Sequence, residues 1–176
     1  PSYQLERREK KTVILDVSSP INGPMDTEFN VKLLEPLIVD RLSDVYLDSF
    51  ITCGAHVNTG VETTTDGGVK NMGFTLKINE FNINSNVASN IDKNTNGYDS
   101  KKFNSIFIPN SAGSVGTVSH KTKKFNYVAS INPCTISSLS GEILDAGTAQ
   151  ATPIYASPFK DNNTRFLAEF IIVARD

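Results

Sequence analysis

Tryptophan is absent from this chain of 176 residues, and cysteine and histidine occur only twice each. Each shortage excludes something. Without Trp, the ten Phe residues must supply much of the aromatic packing. Two widely spaced cysteines, Cys53 and Cys134, make no disulfide framework, and neither stands in a CxxC pair or beside clustered His. They read as free, partly buried thiols or as one Cys53–Cys134 bond. No apolar run approaches the ~18 residues of a membrane span, so no direct membrane insertion is expected. Residues 1–12 are polar and charged, with no apolar leader segment. A formal charge of −2 gives the domain no electrostatic reason to hold nucleic acid.

Catalytic patterns are missing as well. His56 and His120 are the only imidazoles and sit in polar, turn-like contexts. Ser119 adjoins His120, but a triad is a matter of spatial geometry rather than adjacency. There is no G-x-S-x-G elbow, no HExxH and no EF-hand loop. Asp40, Asp44 and Asp48 read as turn caps and a solvated strand face rather than calcium ligands. Gly113-Ser114-Val115-Gly116 precedes no helix pattern, which a phosphate loop requires. His120-Lys121-Thr122-Lys123-Lys124 reads as a solvated hairpin tip, too narrow a basic stripe for nucleic acid. The sequon Asn162-Asn163-Thr164 has meaning only in a secreted protein. The expectation is a protein that is not an enzyme, with no catalytic residue, cofactor or metal.

What the chain does have is period-two alternation. In Glu28–Leu33, Phe29, Val31 and Leu33 share one face while Glu28, Asn30 and Lys32 take the other. Met72, Phe74, Leu76 and Ile78 alternate with Thr75, Lys77 and Asn79 in the same way. The run from Phe166 to Ala174 is apolar on nearly both faces, broken mainly by Glu169, as in a strand central to a sheet and covered on both sides. No long helix pattern competes. Strands are expected at about 12–18, 27–34, 44–53, 71–81, 103–108, 124–131, 141–145 and 165–175. Turn residues separate them: Ser19–Pro24, Asp66-Gly67-Gly68, the Asn-rich stretch 82–100, Pro109–Gly113 and the small-residue loop 146–158. The inward positions give an expected core of Val13, Leu15, Phe29, Val31, Leu33, Leu47, Phe74, Leu76, Ile78, Phe125, Tyr127, Phe170 and Ile172. Many short strands with abundant turns make an all-β sandwich or barrel, comfortably one domain at this length.

Ahead of it, residues 1–12 form an N-terminal arm, leaving 13–176 as the domain. The arm is densely charged, with Tyr3 and Leu5 its only sizeable apolar groups. It is either a solvated tail or an assembly arm that lays Tyr3, Leu5, Arg7, Arg8, Lys10 and Lys11 on an acidic neighbour.

One segment, Leu33 to Phe50 (L-L-E-P-L-I-V-D-R-L-S-D-V-Y-L-D-S-F), resembles the penton (vertex) proteins of nucleocytoplasmic large DNA viruses. In that family an acidic–Leu–Ser–Asp–hydrophobic–Tyr–Leu–Asp run follows an early strand. Phe74–Phe81, Ile106–Asn110 and Phe166–Ala174 agree in layout. The resemblance implies a single jelly-roll sandwich of two four-stranded antiparallel sheets. It further implies a homopentamer at the five-fold vertices of the virion, made in the host cytoplasm. Its neighbours there would be a double jelly-roll major capsid protein and minor capsid proteins. The alternatives are a minor capsid or cement protein of the same viruses, or a receptor- or glycan-binding sandwich. The last would use Tyr98, Tyr155 and the Asn-rich loop.

Overall fold

The computed structural model describes residues 9–18, 28–53, 73–88, 103–109, 119–145 and 165–175. Eight strands carry the fold: β1 (Lys10–Ser18), β2 (Glu28–Val39), β3 (Ser43–Cys53), β4 (Gly73–Ile78), β5 (Ile106–Pro109), β6 (Ser119–Ile131), β7 (Cys134–Asp145) and β8 (Arg165–Ala174). Each strand expected from alternation has its counterpart. β1 pairs β8, β2 pairs β7, β3 pairs β6 and β4 pairs β5, all antiparallel. The first half of the chain therefore runs against the second half like one long hairpin. Rolling that hairpin joins β3 to β8 and β4 to β7. Sheet A then has the order β1-β8-β3-β6, and sheet B the order β2-β7-β4-β5. This is a single jelly-roll sandwich. β1 lies beside β2 on one flank, and β5 beside β6 on the other.

The core sits between the sheets and is built on phenylalanine. Phe50, Phe74, Phe166 and Phe170 are fully buried. Phe50 stacks on Phe166 with centroids 5.8 Å apart, and Phe81 meets Phe170 edge-on at 5.2 Å. Each such ring contributes roughly 1.5–3 kcal/mol by leaving water. Val13, Leu15, Phe29, Leu47, Leu76, Ile78 and Ile172 are buried as expected, and Val31 and Leu33 pack partly against them. The side chain of Phe125 lies outside the described residues.

Tyr127 corrects the expected core, for it is 54% exposed. Ala129 pairs Val45, but Tyr127 pairs Tyr46, so β6 spends one extra residue, Val128, at this step. Such a bulge reverses which face the following side chains take. β3 does the same at Asp48: Leu47 opposes Phe170 and Ser49 opposes Glu169. Inward parity passes from Val45 and Leu47 to Phe50 and Thr52.

Three other expectations change. β6 starts at Ser119, opposite Ile51, so His120 and Lys121 lie in a strand instead of a hairpin tip. The long β3 needs a partner for its backbone along its second half. β7 reaches back to Cys134 because β2 continues through Pro36 to Val39. Pro36 is tolerated there because β2 is an edge strand and leaves register between Lys32 and Leu37. The expected arm ends sooner: Lys10 and Lys11 belong to β1, paired with Val173 and Ile172. The Lys11 ammonium also donates to the Ile38 carbonyl at 2.5 Å. Tyr3, Leu5, Arg7 and Arg8 lie outside the described residues.

Cys134 is a free, exposed thiol. It follows Ile131, the partner of Ser43, whereas Cys53 ends β3 ten positions further along. At about 3.3 Å per residue the two ends are on the order of 30 Å apart. A disulfide needs Cα atoms within roughly 7 Å, so no bond forms within one chain.

Candidate assembly surface

Alternation buries one face of each strand and should leave the other wet. On sheet A it does not. With Phe166, Ala168, Phe170 and Ile172 turned inward, β8 turns Leu167, Glu169 and Ile171 outward. β1 adds Ile14, β3 adds Tyr46 and Ile51, and the bulge in β6 adds Tyr127. Cross-strand register lines these up. Thr12, Ile171, Tyr46 and Tyr127 form one rung, and Asp16, Leu167 and Ile51 another. Between them runs a polar rung of Glu169 and Ser49, with Ile14 at its end. Ser49 Oγ donates to Glu169 Oε2 at 3.5 Å.

Ile14, Ile51 and Tyr127 are about half exposed. Tyr46 meets Tyr127 edge-on at 5.9 Å, a favourable geometry for two aromatic rings. β8 was expected to be covered on both sides. It is central, but Leu167 and Ile171 are only half-buried, because no third layer of described residues lies over sheet A.

Two ion pairs close the ends of this stripe. Arg165 Nε donates to Asp16 Oδ1 at 2.6 Å, and a second Arg165 nitrogen reaches Asp16 Oδ2. That guanidinium holds the Asp16 carboxyl below its ordinary value, chiefly through the hydrogen bonds. At the other end Arg175 donates to Asp44 Oδ1 through Nε at 2.8 Å and Nη2 at 2.5 Å.

Sheet B is different outside. Its outer positions hold Glu28, Asn30 and Lys32 on β2, Ser138, Ser140 and Glu142 on β7, and Lys77 on β4, while one rung joins the exposed Phe107 of β5 to the buried Thr75 and Leu144. Glu80 locks the turn after β4 to β7, accepting from Ser140 N at 2.9 Å and Ser140 Oγ at 2.7 Å. A groove runs between Glu28, Asn30, Lys77, Asn79 and Glu142, and the buried Phe29 also lines it.

The other sequence candidates do not converge. Asp40 lies 3.9 Å from Arg41, Asp44 is held by Arg175, and Asp48 sits in the β3 bulge. Among the described residues no three His, Cys, Asp or Glu side chains gather as metal ligands would. His120 is in β6 opposite Phe50, with its side chain outside the described set. His56, Gly113–Gly116, Asn162–Thr164, Tyr98 and Tyr155 lie outside the described residues. The apolar stripe itself escaped the sequence reading, although the two-sided apolar pattern of β8 was its signal.

Comparison of the chain with protein-family models, curated proteins and solved structures finds no match.

Proposed function

We propose that this protein is a structural shell subunit that forms a homopentamer at the five-fold vertices of an icosahedral virion. The observation that carries this reading is the outer face of sheet A. Six large apolar side chains stand on a face where a solitary sandwich would place polar ones. The jelly-roll topology and the resemblance of Leu33–Phe50 to vertex proteins support it. In this reading the subunit works by contact, without catalysis or a cofactor. Its neighbours are copies of itself and the surrounding major and minor capsid proteins. The charged segment before β1, with Tyr3, Leu5, Arg7 and Arg8, reaches those neighbours. The deciding experiment is averaged density of the assembled particle at its vertices. The chain should fit five times around each five-fold axis. Vertex density that fits another chain, with this one placed elsewhere in the shell, makes it a minor capsid or cement protein instead.

A further inference from the structure

We infer that the start of β1 is a releasable lead, residues 9–12, and that the Lys11 ammonium is the latch that keeps it on the sheet. The latch is a property of the single subunit. Only the use of the released lead, as a longer arm, rests on the assembly reading above.

Burial divides the strand in two. Val13, Leu15 and Val17 are buried in the core. Glu9, Lys10 and Thr12 are exposed and Lys11 is half-buried, so no apolar side chain anchors residues 9–12. β1 is an edge of sheet A and pairs on one side only, with β8. Ala174 N donates to the Glu9 carbonyl at 3.2 Å. Bonded pairs alternate in an antiparallel ladder, so the next is Lys11 with Ile172, and the one after is Val13 with Phe170.

Lys11 adds a bond that crosses from sheet A to sheet B. Its ammonium donates to the Ile38 carbonyl of β2 at 2.5 Å and lies 3.2 Å from Glu9 Oε1. A cavity of only about 10 Å³ remains between Lys11, Ile38, Val39 and Ile172, at the lower bound for one water. A bond from a charged donor is stronger than one between neutral groups. Yet this bond is exposed, so water can replace each partner when the two separate. The open state therefore leaves no buried group unsatisfied.

β8 does not share this freedom. It pairs with β3 from Arg165 to Ala174. Arg175 N donates to the Leu42 carbonyl at 2.9 Å, and the Arg175 side chain holds Asp44. Opening at this end moves β1 and leaves β8 in place. Release lengthens the charged segment before β1 by about 13 Å. It also joins Lys10 and Lys11 to Arg7 and Arg8 as one basic run.

Amide exchange on the isolated subunit in low urea tests this. In the parent, the amides of Lys11, Ile172 and Ala174 should exchange through a local opening that urea barely affects. Those of Val13 and Phe170 should follow the urea-dependent global unfolding. Lys11→Met keeps most of the stem and removes the charge, and it should speed the local opening at least about tenfold. Lys11→Arg keeps the charge and should stay close to the parent.

Three results overturn the inference. If the three amides exchange only with Val13 and Phe170, β1 is one unit and has no lead. If Lys11→Met leaves the local opening unchanged, the end frays with no latch. If Lys11→Arg opens as readily as Lys11→Met, charge is not what holds it. None of these outcomes bears on the vertex reading, which particle density decides.

Discussion

The outer face of sheet A presents Ile14, Tyr46, Ile51, Tyr127, Leu167 and Ile171, while the outer face of sheet B presents Glu28, Asn30, Lys32, Lys77, Ser140 and Glu142 over β2, β7 and β4, with Phe107 exposed on β5. The inner faces do not differ in this way, since Phe170 from one sheet and Phe74 from the other are equally buried. Core formation asks only that one side of each strand be apolar. Alternation satisfies that demand along most of β2 and β7, and sheet B goes beyond it at Ile38 and in the outer rung of Phe107, Thr75 and Leu144. In sheet A the apolar residues exceed the demand more fully, and the excess stands on two rungs of one face with the Glu169–Ser49 rung between them. Folding of the single subunit does not require those outward groups.

The comparison can be broken first at the core. Phe74→Ala and Phe170→Ala should each destabilise the isolated subunit by ~3–5 kcal/mol, because each leaves a cavity that close packing cannot refill. Tyr127→Ser should cost under ~1 kcal/mol in the same denaturant titration, the ordinary result for a surface position. Similar costs at Tyr127 and Phe170 would make the outer face of sheet A a second core of the single subunit. The contrast drawn between face and core would then be lost.

A smaller effect is expected where sheet B is most tightly made. A Cβ at Gly141 would lie 1.8 Å from the Lys77 carbonyl oxygen and 3.0 Å from Phe29 Cζ. The first of these is backbone and cannot swing aside, so β7 and β4 must part for any side chain. Gly141→Ala should therefore cost roughly 1–3 kcal/mol, as overpacking does. Amide exchange should quicken along β4 and β7 and stay slow in β8. Equal loosening of both sheets would show that the two are not separable layers in their response.

Much of this fold was legible in the sequence, because β1, β2, β4 and β8 keep one parity over their apolar positions. Phe29, Val31 and Leu33 face the core, and so do Phe74, Leu76 and Ile78. The bulges were not legible. Nothing in Asp48 or Val128 announces an extra residue, since a bulge is set by the pairing strand opposite. Tyr127 was misplaced for that reason, and with it half of the aromatic pair on the outer face. The first half of β7 was hidden because Ile136 and Leu139 break step and the residues between are serines. Pro36 has no amide N–H to give a ladder, yet at a bulge on an edge strand it leaves no ladder bond unmade. The outer stripe needed the topology. Ile171 and Tyr46 are 125 positions apart in sequence and become neighbours only when β8 inserts between β1 and β3.

The smallest effect concerns one end of the apolar stripe. Asp16 is bound by Arg165 from the adjoining strand, and its carboxyl titrates below the ordinary value. A lowered native pKa means that the unfolded chain takes up the proton first as pH falls. The pair therefore contributes its full share above the unfolded carboxylate value of about 3.9, and that share fades as pH drops through the lowered native value. Both partners are well exposed, at 56% and 40%, so solvent screening keeps the contribution within ~0.2–1 kcal/mol. Asp16→Asn should lower stability by that amount at neutral pH and by nothing measurable at about pH 2. The gap between the two proteins should close only below about pH 4, as followed by denaturant midpoints across the range. A gap that persists unchanged into strong acid would mean that Asp16 acts through packing against β8, and that its charge belongs to assembly alone.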